Sequence, residues 1–219
     1  MIIELKDKGY TLREIQNDGG VHHLDGRDLS LSTIQLIIKN RKEGLHMQKI
    51  LGVVDMQNDF IDGALGSPEA QAIVPAVAAK IAEYKAHGRP IVYTRDSHTS
   101  NYLNTQEGKH LPVPHCIVGT NGWKIADGLY VEGSIIDNKP SFGSTNLVDY
   151  IATNYRGRFD EIEVVGLCTD ICVISNVMIL KAYFTETPIT VDSECCAGVT
   201  PESHKNALEA MKMCHINII

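Results

Sequence analysis

From residue 48 onward, short β-branched apolar segments alternate with longer segments of helical spacing, and this alternation constrains the fold more than any other feature. We predict strands at 49–55, 90–96, 134–139, 161–166, 188–193 and 216–219. We predict helices at 70–87, 145–155, 171–185 and 201–214. Strand–helix alternation with mostly short links predicts an α/β fold, a three-layer, doubly wound, mainly parallel sheet covered by helices on both faces.

Polar residues stand at the ends of the predicted strands. Asp55, Asp96 and Lys139 close three of them, and the 167–172 turn follows a fourth. Ligands of open parallel sheets bind at the carboxyl ends of the strands. A single aspartate there is often only a turn residue and a single lysine is usually solvated, but four such positions at one sheet edge predict a site.

Composition narrows the function classes. The chain has 219 residues, with 43% hydrophobic and 21% charged residues and a net charge of −7. The dispersed Lys and Arg residues predict no nucleic-acid partner. Apolar runs stay short of the roughly 18 residues of a membrane helix, and a signal-peptide core is lacking. Because the apolar runs are short, we expect no membrane partner. Six cysteines without a repeating framework are expected to be free thiols, which favours a cytoplasmic location.

Residues 1–46 do not follow the alternation, so we predict the main domain at 47–219. Two segments, 8–16 and 30–44, have the composition of short helices, which favours a small helical extension of unknown role. A fused or added segment that ends near Met47 is a second interpretation. A helix-turn-helix DNA reader is a third, and the lack of a basic recognition face disfavours it.

The segment GLCTDICV (166–173) carries two cysteines four residues apart. A metal pair usually needs a second pair, and a thiol redox motif has the spacing C-x-x-C. If a helix begins near Asp170, Cys172 lies in its first turn, where free N–H groups and the helix dipole favour a thiolate and can hold an oxyanion. Cys168 then lies in the tight turn. The residues alone leave Cys172 open as a nucleophile or as an inert buried cysteine.

Three segments together carry a resemblance. VVDMQNDF (53–60), KPSFGST (139–145) and GLCTDICV (166–173) resemble, in order and interval, the signature segments of the isochorismatase-like cysteine hydrolases, the superfamily that includes nicotinamidases. The resemblance extends from about residue 49 to the end of the sequence. Residues 1–46 take no part in it.

The resemblance implies a catalytic triad of Asp55, Lys139 and Cys172. Cys172 would attack an amide, Asp55 would take the thiol proton and pass it to the leaving amine, and Lys139 would stabilise the thiolate. It also implies a cis peptide bond at Leu167–Cys168. That bond would turn the amides of Cys168 and Cys172 toward the oxyanion.

The resemblance also implies a metal beside the triad, because nicotinamidases hold one there. Asp96 and His98 match the Asp-x-His pair of these enzymes, and His115 in PVPHC matches their last histidine. Glu107 fits the third position by spacing, with His110 as its competitor. Such mixed nitrogen and oxygen donors suit Zn²⁺, Fe²⁺ or Mn²⁺. We expect a divalent metal, with zinc as the first choice.

The function implied by the resemblance is a nicotinamidase, which converts nicotinamide and water to nicotinate and ammonia through a thioester on Cys172. Phe60 and Trp123 are candidates for the aromatic walls of the substrate pocket, or else plain core residues. A metal-independent hydrolase of another small amide, ureido or carbamoyl compound is the alternative. A binding protein that contacts a partner through 1–46 is a third hypothesis, which a complete triad disfavours. Homo-oligomers are common in this family, so we expect one.

Overall fold

Six parallel strands form the centre of the structure, a computed structural model that describes residues 49–155 and 159–219. They are β1 (Lys49–Val54), β2 (Ile91–Asp96), β3 (Ile135–Lys139), β4 (Glu161–Leu167), β5 (Ile189–Ala197) and β6 (Asn217–Ile218). Their order is β3-β2-β1-β4-β5-β6, and every neighbouring pair is parallel. The predicted doubly wound α/β fold is therefore confirmed. The predictions for 1–46 concern residues outside those described.

Helices follow most strands and begin at residues suited to a helix start. They are α1 (Asn58–Ile61), α2 (Pro68–Ala86), α3 (Gln106–His110), α4 (Thr145–Asn154), α5 (Ile174–Tyr183) and α6 (Pro201–Met213). The Ser67 hydroxyl accepts a hydrogen bond from the Ala70 N–H and caps α2, and Thr200 caps α6 through a capping box with Ser203. Among the described residues, no helix combines the length and apolarity that crossing a bilayer requires.

The core has two layers, one on each face of the sheet. Successive residues of a strand point to opposite faces, so Ile50 and Val54 of β1 pack with α4, α5 and α6, whereas Leu51 and Val53 pack with α2. The interior strands are buried on both faces, which explains their continuous apolar runs. Three layers result, as predicted.

The structure differs from the predicted elements at a few boundaries. β5 continues to Ala197, four residues past the predicted end, because Cys196 and Ala197 are buried and pair with Gly166 and Leu167 of β4 after a register shift. The predicted strands and helices left 97–133 without an element, whereas the structure has α3 and a 3₁₀ turn at Tyr102–Asn104 there. The four-residue helix α1 was not predicted.

The order of the strands reverses at β1, since β2 and β3 lie on one side of it and β4 on the other. Such a reversal leaves a crevice at the carboxyl ends of the two strands, here β1 and β4. Gly166 lies in that region with φ +126°, and a Cβ at this position would overlap the Val54 carbonyl oxygen. A side chain at residue 166 would therefore push β4 away from β1.

We predict that Gly166→Ala lowers the free energy of unfolding by at least about 3 kcal/mol, because it combines an unfavourable φ with a steric overlap at the backbone. Gly88→Ala is the matched control. Gly88 also has a positive φ, of +60°, but no described atom lies within 4 Å of a Cβ there. Its cost should be about 1–2 kcal/mol. Urea unfolding of both variants tests this, and equal losses would contradict the close approach at Gly166.

Candidate active site

Three side chains from three strand ends meet in a buried cluster. Asp55 follows β1, Lys139 ends β3, and Cys172 lies in the π-helical turn Thr169–Val173 after β4. Lys139 Nζ is 2.6 Å from Asp55 Oδ2 and 3.5 Å from Cys172 Sγ. Thr94 Oγ1 donates to Asp55 Oδ1 at 2.7 Å. The structure thus brings together the three residues that the resemblance proposed as a triad.

The environment controls which of these groups holds a proton. Burial raises the pKa of Asp55, against the opposing charge of Lys139. Burial also raises the pKa of Cys172 well above its usual range, and the charge of Asp55 and a hydrogen bond to it raise it further. Burial would lower the pKa of Lys139, but the nearby negative groups outweigh it and raise the pKa. The thiol therefore keeps its proton until a base takes it, and a buried ammonium stands beside the sulfur.

The turn that carries the nucleophile candidate is tightly bonded. The Cys168 carbonyl accepts hydrogen bonds from the N–H groups of Ile171 and Val173, at 3.1 and 3.0 Å. The Leu167–Cys168 peptide bond is cis, as the resemblance implies. The predicted helix start near Asp170 is close to the observed one, but the first turn has π-helical bonding and the strand runs one residue further, to Leu167.

A second cluster contains four donors of the kind that bind divalent metals. The Nε2 atom of His98 is 2.8 Å from Asp96 Oδ2, and that of His115 is 3.4 Å from the same oxygen. Glu107 Oε1 is 3.5 Å from His98 Nε2 and 3.7 Å from His115 Nε2. One ligand atom from each of the four residues lies within 4.8 Å of the other three. Such spacing allows all four to reach one cation.

The hydrogen bonding and charge around His98 and His115 are those of a candidate metal site. His115 Nδ1 lies 2.8 Å from the Val113 carbonyl oxygen, which orients Nε2 toward the cluster. His98 Nε2 is buried and finds no partner of good hydrogen-bond geometry among the described residues. Burial acts to lower the pKa of His98, but the close approach and negative charge of the Asp96 and Glu107 carboxylates raise it to about 9. The cluster thus favours positive charge, and its donor set suits Zn²⁺, Fe²⁺ or Mn²⁺.

The structure distinguishes the two candidates for the third ligand. Glu107 and His110 are both on α3, but the ring of His110 is exposed and its Nδ1 lies 2.8 Å from the Gln106 carbonyl oxygen. The four-donor cluster includes Glu107 and not His110.

A cavity of about 480 Å³ connects the two clusters. Its wall includes Cys168 and Cys172 of the turn after β4, and Asp96, Glu107 and His115 of the four-donor cluster. Apolar residues complete the wall, namely Phe60, Leu65, Ala70, Leu111, Phe142, Ile171 and Val199. A flat, mostly apolar molecule with a few polar atoms fits such a wall.

The two aromatic predictions have different outcomes. Phe60 lines the cavity, and its ring centroid is 5.5 Å from that of His115. Trp123 is not among the described residues that line it, so the structure does not support the pocket-wall alternative for Trp123. The Arg95 guanidinium lies 3.4 Å from the centroid of the Trp123 ring, and Trp123 Nε1 donates to Ser97 Oγ. These two interactions hold the indole outside the cavity.

Sequence reasoning missed several buried polar residues that support the site. They are Thr94, which binds Asp55; Gln57, which binds the main chain of Asp96; and Asn176, which donates to the Cys172 carbonyl. Asn176 stands four residues after Cys172 within an apolar helix, and Gln57 follows a buried strand. A single polar residue in an apolar stretch was the available signal, because such a group must find a hydrogen-bond partner.

Comparisons with known proteins agree with this geometry. The family model described as the isochorismatase domain matches residues 49–219. The nicotinamidase/pyrazinamidase of Mycobacterium tuberculosis is 27% identical over 188 residues, which cover 78% of this chain and 98% of that protein.

Solved structures show the same fold. The pyrazinamidase of Pyrococcus horikoshii, solved in complex with zinc, is 30% identical with a TM-score of 0.67, over 78% of this chain and 98% of that one. The N-carbamoylsarcosine amidase of Thermoplasma acidophilum is 25% identical with a TM-score of 0.65, over 78% and 95%. The chain belongs to the isochorismatase family, and its relatives indicate a hydrolase that acts on amide C–N bonds.

Proposed function

We propose that the chain is a metal-dependent nicotinamidase, which converts nicotinamide and water to nicotinate and ammonia. One observation carries the proposal: the same cavity is lined by the buried Cys172, which lies beside the ion pair of Lys139 and Asp55, and by three residues of the four-donor cluster. The cysteine suits attack on a carboxamide, and the cluster suits a cation that anchors the ring. Similarity to a nicotinamidase/pyrazinamidase and to a zinc-bound pyrazinamidase supports it.

The first chemical step is proton transfer from the Cys172 thiol to Asp55. Asp55 is buried with a raised pKa, which makes its carboxylate a stronger base than an exposed aspartate. Lys139 Nζ stays within 3.5 Å of the sulfur and stabilises the thiolate. Lys139 is itself held by Asp55 and by a hydrogen bond of 3.0 Å to the Ser141 carbonyl oxygen.

The thiolate then attacks the carboxamide carbon. The N–H groups of Cys168 and Cys172 would hold the oxyanion, since both residues line the cavity on one turn. Asp55 returns its proton to the leaving nitrogen, the C–N bond breaks and ammonia departs, which leaves a thioester on Cys172. Water then gives a proton to Asp55 and attacks the thioester carbon, the C–S bond breaks, and the Cys172 sulfur takes the proton back from Asp55. The nicotinic acid released loses its proton to solvent and becomes nicotinate.

The far wall of the cavity would position the ring. Asp96, His98, Glu107 and His115 would hold the divalent metal, zinc as the first choice, and its positive charge would supply an anchor for the pyridine nitrogen. Phe60 packs beside His115 and offers an apolar face to the ring. Fixing both ends of a small substrate places the carboxamide near the sulfur and lowers the entropic part of the barrier.

A second candidate is a hydrolase of an N-carbamoyl or ureido compound that uses the same three residues without metal. The similarity to N-carbamoylsarcosine amidase favours it. The four-donor cluster disfavours it, because a metal-independent enzyme has no use for two histidines and two carboxylates around one point. Activity of the metal-free protein on ureido compounds, without activity on nicotinamide, would select this candidate.

We predict that Cys172→Ala abolishes ammonia release from nicotinamide and leaves the melting temperature nearly unchanged, because only one buried sulfur is removed. Cys168→Ala is the matched control, since Cys168 lies on the same turn and lines the same cavity. It should keep most of the activity. The reverse result would mean that Cys168 is the nucleophile.

We predict that Asp55→Asn lowers the turnover number by about 10²–10⁴-fold, the usual contribution of a general base. The variant also leaves the Lys139 ammonium buried without its carboxylate, so the free energy of unfolding should fall by about 3–5 kcal/mol. Activity and unfolding are both measured at a temperature at which the variant is folded. A loss of activity of about tenfold or less would exclude Asp55 as the base.

We predict that Glu107→Gln weakens zinc binding by at least about 10–100-fold. Loss of a residue that only orients a metal ligand has an effect of this size, and this variant removes a proposed ligand itself. The control, His110→Gln, changes the competing residue on the same helix and should bind zinc normally. Zinc affinity is measured by competition with a chromophoric chelator, together with ammonia release after chelation and zinc return. Equal affinity in the Glu107 variant and the wild type would remove Glu107 from the metal site.

A further inference from the structure

The main chain of Asp96, at the end of β2, extends past the last residue of the neighbouring strand β1. Pairing between β1 and β2 ends at Val54 and Thr94, and Asp55 turns away with φ +48°. The Asp55 N–H still donates to the Thr94 carbonyl, at 3.3 Å. Alternate peptide groups of a strand face the same neighbour, so the next main-chain groups that face β1 are those of Asp96.

The side chain of Gln57 makes the hydrogen bonds to Asp96 that a further residue of β1 would make. Its Oε1 accepts from the Asp96 N–H at 2.7 Å, and its Nε2 donates to the Asp96 carbonyl at 2.9 Å. The second Nε2 proton goes to the Trp123 carbonyl, also at 2.9 Å. A carboxamide has the same donor and acceptor as a peptide group, so Gln57 continues the β1 side of the ladder by one residue. Gln57 is fully buried and uses all of its donors.

Asp96 is the residue that both clusters share. Its Oδ2 faces His98 and His115 at 2.8 and 3.4 Å, and its Oδ1 is 3.8 Å from Lys139 Nζ. An aspartate side chain has only two rotatable bonds, so the position of its main chain limits where its oxygens can lie. The hydrogen bonds to Gln57 fix that main chain on both sides of the Cα.

We propose that Gln57 is a positioning residue of the metal site, which sets the affinity for a divalent cation by holding the Asp96 main chain and does not itself contact the cation or the substrate. The inference rests on the metal site of the proposed function and not on the identity of the amide substrate. A purely structural Gln57 would lower the stability of the fold without a specific effect on metal binding.

The test compares zinc affinity in the full chain, freed of metal and titrated in competition with a chromophoric chelator. Gln57→Met keeps the length of the side chain and removes all three hydrogen bonds. Zinc binding should weaken by about 10–100-fold, as for other outer-shell partners. A wild type that binds zinc and a Gln57→Met variant that binds it equally well would overturn the inference. A wild type that binds none would overturn the metal site itself.

Thr190→Val is the matched control for stability. Thr190 is buried on β5, three strands from β2, and its hydroxyl donates to Glu161 at 2.7 Å. The variant loses a partly buried side-chain hydrogen bond outside the site, so its melting temperature should fall while its zinc affinity stays at the wild-type value. An equal loss of zinc affinity in both variants would show an effect of stability alone and overturn the inference.

Two further measurements address the route through Asp96. In an Asp96→Ala background, Gln57→Met should cause no additional loss of zinc affinity, and a full additional loss would exclude action through Asp96. In the metal-free wild type, the Asp96 amide proton should exchange as slowly as those in the paired part of β2. Fast exchange there would overturn the inference even if the Gln57 variants failed to fold.

Discussion

The ion pair between Asp55 and Lys139 is the interaction on which the site depends. Both side chains are fully buried, and their charged atoms are 2.6 Å apart. Removing either charge alone would leave the other without compensation, at a cost of about 3–5 kcal/mol. Asp55 follows β1 and Lys139 ends β3, so the pair spans the end of β2, where Thr94 donates to Asp55. The carboxyl ends of β1, β2 and β3 must therefore lie side by side, and the cavity forms along this edge of the sheet.

The same pair makes the chemistry compatible with burial. In the proposed reaction the Cys172 thiol gives its proton to Asp55, so negative charge would move from the carboxylate to the sulfur while the total charge stays constant. Lys139 is within reach of both atoms, at 2.6 and 3.5 Å, and need not move. A fixed cation between the two positions of the charge is a preorganised environment, which lowers the cost of forming a thiolate away from water.

The sequence predicted the sheet well because buried parallel strands are continuous apolar runs, and it drew attention to Asp55 and Lys139 because both stand at strand ends. Their assignment with Cys172 to a catalytic triad came from the family resemblance and stays a prediction. The long loop after β2 was less predictable. Glu107 and His110 are three residues apart on a five-residue helix, so tertiary packing decides which one turns inward. Trp123 looked like a pocket wall, but Arg95 and Ser97 hold it elsewhere. The sequence contains no spacing rule for such orientations.

The two halves of the site therefore have different structural origins. Asp55 and Lys139 stand at strand ends, and their positions follow from the order and register of the sheet. His98, Glu107 and His115 belong to the loop between β2 and β3, whose length and conformation the sheet does not dictate. Asp96 ends β2 and contacts both halves, at 2.8 Å from His98 and 3.8 Å from Lys139. Under the proposed function, formation of the nucleophile would therefore depend on the sheet, whereas recognition of the ring would depend on the loop. Residues that fix Asp96 to the edge of the sheet would then align the loop with Cys172.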